Sequence, residues 1–184
     1  MNKLVNILIF LILAAGTGVN AQETTGTPSA NYSILESKLK KSNKNIEHER
    51  RSQKDKTWIK RAELMMGIFE LHRNFVARGT PKATITILYQ EPNETEEWEE
   101  EGSKYEKLVY DHITFTLKDG EVEDFEETKK LYDTPLKEAL RSLEKAQELD
   151  TDGRRSDDIK EDYQRLKGLF ERKGIEQFVD GNFT

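Results

Sequence analysis

The sequence predicts an α+β fold that is mainly α-helical. Apolar residues recur at helical spacing over residues 57–76 and again over 135–179, which predicts amphipathic helices. Between these stretches, over 83–127, β-branched and aromatic residues alternate with polar ones, as they do in strands. Asp119-Gly120 interrupts that alternation with a hairpin signal, because Gly readily adopts the positive φ of a tight turn. We therefore expect helices together with a small antiparallel sheet of about three strands.

Residues 1–21 have the organisation of a secretory signal peptide. Lys3 supplies the positive start, residues 4–15 are almost wholly apolar, and Val19-Asn20-Ala21 fits the small-x-small cleavage pattern. The apolar run has about 12 residues, fewer than the roughly 20 that span a bilayer. We expect cleavage before Gln22, export of the mature chain and no integral membrane segment after cleavage.

The cysteine content and the net charge indicate in which compartment the protein works and which class of partner it can bind. The chain has no Cys, so it forms no disulfide and carries no lipid-modified cysteine. An exported chain of this kind suits the periplasm or cell envelope of a Gram-negative bacterium. The net charge is −6 and becomes −7 when Lys3 is removed. This acidic balance repels phosphate backbones, so we expect no nucleic-acid partner.

The N-terminal third predicts a linker followed by helices. Residues 22–32 are small and polar and predict a flexible linker. Residues 33–81 hold the N-terminal helices: a weakly apolar one first, then a strongly apolar one over 57–76. The apolar stripe of that second helix is wide enough that neighbours must cover it on more than one side. Gly79 and Pro81 end it.

Residues 82–128 predict the antiparallel β segment. Residues 83–89 alternate and are rich in β-branched side chains, 91–103 read as an acidic loop, and the strand pattern resumes over 105–127. On the buried face of this sheet we expect Val109, Ile113, Phe115 and Leu117.

Residues 129–184 return to helix. Thr134 suits an N-cap position and Pro135 the first helical position. After a turn at 150–153, Ser156 opens a second helix that we expect to run from about Asp157 to Val179.

The last two helices resemble the tetratricopeptide repeat, a helix-turn-helix unit of 34 residues. Ala139, Leu143 and Ala146 have the small-large-small spacing of the second helix of that repeat. The series Gly174, Phe178, Gly181, Asn182 and Phe183 is similar to the end of its first helix and the turn that follows.

Trp58, Ala62 and Met65 are similar to the opening of a first helix, whose partner would be the helix at Ala139. The resemblance, to exported repeat proteins of the Bacteroides type, implies an α-solenoid of helical hairpins. The β segment would be inserted between the two helices of the first repeat. By the same resemblance the last repeat lacks its second helix, so we expect the chain to be an N-terminal fragment of a longer protein.

No catalytic or metal-binding pattern stands out. His48, His72 and His112 are far apart and lack zinc-binding spacing, and His72 on an apolar stripe suggests a satisfied, partly buried side chain. Residues 150–157 lack the ligand positions of a calcium loop. Nor is there a nucleophile elbow or a phosphate-binding loop. We therefore expect no enzyme activity, no cofactor and no metal.

Function is expected to lie in binding. The sequence favours a non-enzymatic, exported helical-repeat scaffold that binds a protein or peptide partner in the cell envelope. Candidate contact residues are Arg61, Asn74, Arg78 and Trp98. The acidic run 94–101 suits a basic partner or weak binding of divalent ions, but also a solvated loop. Two alternatives are a docking or dimerisation module of a larger envelope enzyme or ligand-binding protein, and a short structural α+β protein whose repeat likeness is accidental.

Overall fold

The structure, a computed structural model, describes residues 27–179, with side chains up to residue 176. The expected signal peptide and residues 180–184 lie outside this part of the chain. The described helices are α1 (Pro28–Glu47), α2 (Asp55–Arg73), α3 (Lys82–Tyr89), α4 (Pro135–Leu149) and α5 (Ser156–Val179). The described strands are β1 (Glu94–Glu100), β2 (Ser103–Val109), β3 (Thr114–Lys118) and β4 (Glu121–Glu126).

Four of these helices surround one hydrophobic core. Helix α2 lies at its centre and packs against α1, α4 and α5. Met65 and Met66 are fully buried, so the wide apolar stripe of α2 is covered on more than one side, as predicted. Ala139 and Leu143 bring α4 against α2, and the small alanine allows the two backbones to approach closely.

A second core lies between α3 and the sheet. The four described strands pair in the order β1-β2-β3-β4, all antiparallel. Phe115 and Leu117 of β3 are fully buried against Ile85 and Tyr89 of α3. The other residues of this core are Val76, Leu108, Tyr110, Ile113 and Val122.

The predicted α-solenoid with a sheet inserted in its first repeat is wrong. In a solenoid each repeat contacts only its neighbours, whereas α2 contacts three helices at once. The sheet is not a decoration between two helices of a repeat, because it builds its own core with α3. The chain is a mixed α/β fold with two large described cores and a smaller buried cluster of Ile59, Ala146 and Ile159. The small-large-small spacing of Ala139, Leu143 and Ala146 reflects close packing of α4, which repeat and non-repeat helices share.

Three local expectations also fail. Residues 82–89 form helix α3 rather than a strand, because a helix places Ile85 and Tyr89 on one buried face. Helix α1 begins at Pro28, inside the predicted linker 22–32, with Asn31 and Tyr32 buried. The predicted acidic loop 91–103 contains strand β1.

Other expectations are confirmed. Asp119 and Gly120 form the turn between β3 and β4, with φ of 51° and 85°. Ile113, Phe115 and Leu117 are buried. Val109 is only partly buried, and its neighbour Leu108 takes the core position. This one-residue shift moves a side chain to the opposite face of a strand.

Candidate interaction surface

One edge of the sheet is covered by another segment of the chain, and the other edge is not paired with any described strand. At β4, the segment before α3 covers the edge: Gly79 donates its N–H to the carbonyl of Val122, and Val122 donates its own to Thr80. The ladder between β3 and β4 also shifts register after Thr116. At the other edge, no described strand pairs with the outer side of β1.

Strand β1 is long, regular and solvated. It pairs residue for residue with β2, from Glu94 opposite Val109 to Glu100 opposite Ser103, without a bulge. All seven of its residues are exposed. Alternate residues of an edge strand point their backbone N–H and C=O groups away from the sheet, where another extended chain can pair with them.

This edge carries a dense negative charge. Five of the seven residues of β1 are Glu, and Glu101 follows in the turn. Lys107 is 3.8 Å from Glu96 and offsets one of these charges. Exposed like charges on one strand repel each other and attract cations over about a Debye length.

An aromatic and cationic row crosses the outer face of the sheet from this edge. Trp98 lies opposite Tyr105, and their rings stack with centroids 5.2 Å apart and planes 11° apart. Lys118 of β3 lies opposite Tyr105 and places Nζ 5.5 Å from the centre of its ring. Hydrogen bonding to Tyr105 raises the pKa of Lys118 above its ordinary value. Since Tyr105 covers the β2 side of the indole, the other face of Trp98 is directed toward the open edge.

The four residues predicted to contact a partner do not belong to one exposed surface. Arg61 is 3% exposed and forms an ion pair with Glu138 between α2 and α4, so it stabilises helix packing. Asn74 is the C-cap of α2, and Arg78 is an exposed residue of the following segment. Trp98 lies in β1, 37% exposed.

Sequence reasoning missed the partners of Trp98. Tyr105 and Lys118 lie on other strands, and their alignment with Trp98 depends on the register of β1, β2 and β3. The signal available in the sequence was Gly102 after Glu101, since glycine favours tight hairpin turns. In the structure, Glu101 and Gly102 have φ of 51° and 82° and form the two-residue turn between β1 and β2. Reading this pair as a turn would have turned the acidic loop into a hairpin.

The described residues give no sign of a metal centre or a membrane span. Among them, no three His, Asp or Glu side chains are grouped so as to hold a metal ion. No described helix has both the length and the apolar character needed to cross a membrane. Comparison of the chain with protein-family models, curated proteins and solved structures found no match.

Proposed function

We propose that this is a non-catalytic, exported binding protein of the cell envelope that recognises an extended, basic segment of a protein partner. The partner segment adds to the sheet as a strand alongside β1. The observation that carries this proposal is the open, bulge-free outer edge of β1, which carries five Glu residues and, next to its central residue, Trp98.

Strand addition supplies the backbone part of recognition. An extended peptide satisfies the outward N–H and C=O groups of β1 through main-chain hydrogen bonds, which need no particular side chain. Seven regular residues are as long as an ordinary strand, so the edge accommodates a complete strand.

Charge and the indole ring supply the specificity. Lys or Arg side chains on alternate residues of the partner lie beside the Glu side chains of β1, whereas an acidic segment is repelled. A cation on the partner residue opposite Trp98 would contact the outward face of the indole. Lys118 of β3 contacts the ring of Tyr105 on the neighbouring strand β2 in the same way. Aromatic anchors of this kind contribute a large share of binding energy at interfaces.

The same charges oppose a second copy of the chain as the occupant. Pairing β1 with β1 of another copy would place five Glu residues of one strand against five of the other. Like charges directly opposite each other destabilise a strand pair. The alternative of a dimerisation module acting through this edge is therefore less well supported than a basic partner.

Peptide titration tests the proposal directly. A nine-residue peptide with Lys alternating with Thr is titrated into the protein by calorimetry, beside the same peptide with Glu in place of Lys. We expect binding only of the basic peptide, weakening as salt rises. Amide signals of β1 should shift and those of β4 should not.

A matched pair of variants assigns the site. Trp98→Ala is expected to weaken binding about tenfold, which corresponds to the loss of one aromatic anchor. Phe170→Ala removes an aromatic side chain of equal exposure, 37%, from α5 and should leave binding unchanged. Equal effects of the two variants, or equal binding of both peptides, would refute the proposal. Export is tested separately by sequencing the N-terminus of the mature protein, which should begin at Gln22.

A further inference from the structure

A second candidate site lies where the helices meet the sheet. A cavity of about 210 Å³ opens between the ends of several elements: the start of α1, the end of α2, the end of α3 and the connection from β2 to β3. We call it the seam pocket and define it by the lining residues His72, Tyr89, Gln90, Glu91, Asp111 and His112. None of them belongs to the outer edge of β1, so this site is independent of the proposed strand-binding edge.

A buried, uncharged pair forms the inner wall of the pocket. His72 and Tyr89 are 3% and 7% exposed, and Nδ1 of His72 lies 3.0 Å from the hydroxyl of Tyr89. Burial, then the positive charge of Arg73, lowers the pKa of His72 to about 4. Burial also raises the pKa of Tyr89. Neither side chain carries charge at neutral pH.

The second histidine of the pocket, His112, is held against α1. Its ring stacks on Tyr32 with centroids 3.6 Å apart and planes 4° apart. Burial, followed by the charge of Lys129, lowers the pKa of His112, so it too is neutral at pH 7. Its Nδ1 is buried and has no hydrogen-bond partner among the described residues. A neutral imidazole offers one nitrogen as an acceptor.

The ionised groups that line the pocket are both acidic. Glu91 and Asp111 are exposed at its mouth, and Asn93 donates to Oδ1 of Asp111 at 2.8 Å and so orients that carboxylate. Arg73, whose positive charge acts on His72, is paired with Glu127 at 2.7 Å.

One residue that lines the pocket, Gln90, has a strained backbone conformation. Gln90 has φ 65° and ψ −146°, a conformation that favours glycine. The hydroxyl of Tyr110 donates to the carbonyl of Gln90 at 3.2 Å and helps to hold it. A strained residue persists only where its surroundings over-determine it, and such residues cluster at binding sites.

We infer that the seam pocket binds a small organic cation, an ammonium group on a short apolar stem. An ammonium has three donors and no acceptor, and the mouth of the pocket offers the two carboxylates of Glu91 and Asp111 as acceptors. Tyr89 and Tyr110 also line the pocket, with ring centroids 5.4 Å apart, and aromatic rings attract a nearby cation. The cavity is smaller than the roughly 300 to 1,000 Å³ of pockets for drug-sized ligands, so the ligand is correspondingly small.

The test titrates propylammonium chloride into the full chain and follows backbone amide signals by NMR, with 1-propanol and sodium propionate as neutral and anionic controls. Saturable shifts at Gln90, Asp111 and His112 are expected with propylammonium alone. Equal shifts with propanol, or shifts that do not saturate, would overturn the inference.

Charge-removing variants make the assignment specific. Asp111→Asn is expected to weaken propylammonium binding at least about tenfold, the loss typical of a hydrogen bond to a charged group. Glu91→Gln is a second variant, in case loss of the contact with Asn93 disturbs folding. Glu47→Gln removes the same charge from an exposed position at the end of α1 and should bind as the unmodified chain does. Unchanged binding in both pocket variants would refute the site, whatever the outcome at the β1 edge.

Discussion

Arg61 and Glu138 lie 77 residues apart in the sequence and form an ion pair in the interior between α2 and α4. Arg61 also donates to Oδ1 of Asn43 at 2.9 Å and to Oγ of Ser42 at 3.1 Å. One guanidinium therefore joins three helices. A buried cation of this kind depends on its partners, because an unpaired charge in the interior is very costly.

Removing the carboxylate should show this dependence. Glu138→Ala leaves Arg61 buried without its counter-ion and is expected to lower the free energy of unfolding by about 3 to 5 kcal/mol. Glu148→Ala breaks an exposed pair with Lys145 on the same helix and should cost less than about 1 kcal/mol. Urea unfolding measures both. Similar losses in the two variants would contradict the structural role given to Arg61.

The free energy of unfolding should decrease as the pH is lowered, because His72 is buried in its neutral form. Its pKa is about 4 in the folded chain against an ordinary 6.5 when unfolded, so between these values the unfolded chain binds more protons. This histidine's contribution is complete above pH 6.5 and is lost as pH falls to about 4, a change of about 3 kcal/mol. His72→Gln should flatten this part of the profile, whereas His48→Gln at an exposed position should keep it. Parallel profiles for the two variants would mean that His72 is not buried neutral.

Asp162 should act in the opposite sense. Burial, then the negative charge of Glu63, raises its pKa from 3.8 to about 6. The ionised carboxylate is therefore disfavoured in the fold, and its contribution is lost as pH rises through 6. Asp162→Asn is expected to stabilise the protein by about 1 kcal/mol at pH 7, since solvent screens a partly exposed group. The gain should vanish below pH 3.8.

Its neighbour provides the control for that experiment. Glu161→Gln removes an exposed charge from the same turn of α5 and should change stability by less than about 0.5 kcal/mol. A gain for Asp162→Asn that persisted in acid would show that the effect is not one of ionisation.

Gln90→Gly should stabilise the protein by about 1 kcal/mol, because glycine adopts φ 65° without the strain that a side chain imposes. The carbonyl that accepts from Tyr110 is retained. Gln53→Gly, at an exposed turn residue that is not among those with positive φ, should instead destabilise by up to about 1 kcal/mol. Thermal unfolding of both variants measures the difference, and a loss of stability in Gln90→Gly would contradict the strain.

The helices with clear ends were predictable from the sequence. Helix α4 begins at Pro135, and α5 begins at Ser156, which is followed by Asp157 and Asp158. These preferences act within the first turn of a helix, so the local sequence is enough to predict them. The strand predicted over 83–89 failed because its alternating pattern also places Ile85 and Tyr89 four residues apart, the spacing of a helix face. Only the packing of the sheet against Ile85 and Tyr89 decides between a helix and a strand for this segment.

The candidate sites were predictable only in part. Trp98 was predicted as a contact residue within the acidic run 94–101, but its row with Tyr105 and Lys118 depends on strand register. His72 and His112 lie 40 positions apart by their residue numbers and line one pocket because α2 ends beside the turn after β2. Nothing in their local spacing indicates this.

The sequence by itself determined where α4 and α5 begin, where the hairpin at Asp119 and Gly120 turns, and which charges the chain carries, since these depend on neighbouring residues. Only the tertiary structure decided that the sheet builds its own core with α3, that Arg61 is buried, and that β1 is left as an open edge. These features depend on contacts between segments far apart in the chain, where packing outweighs local preference.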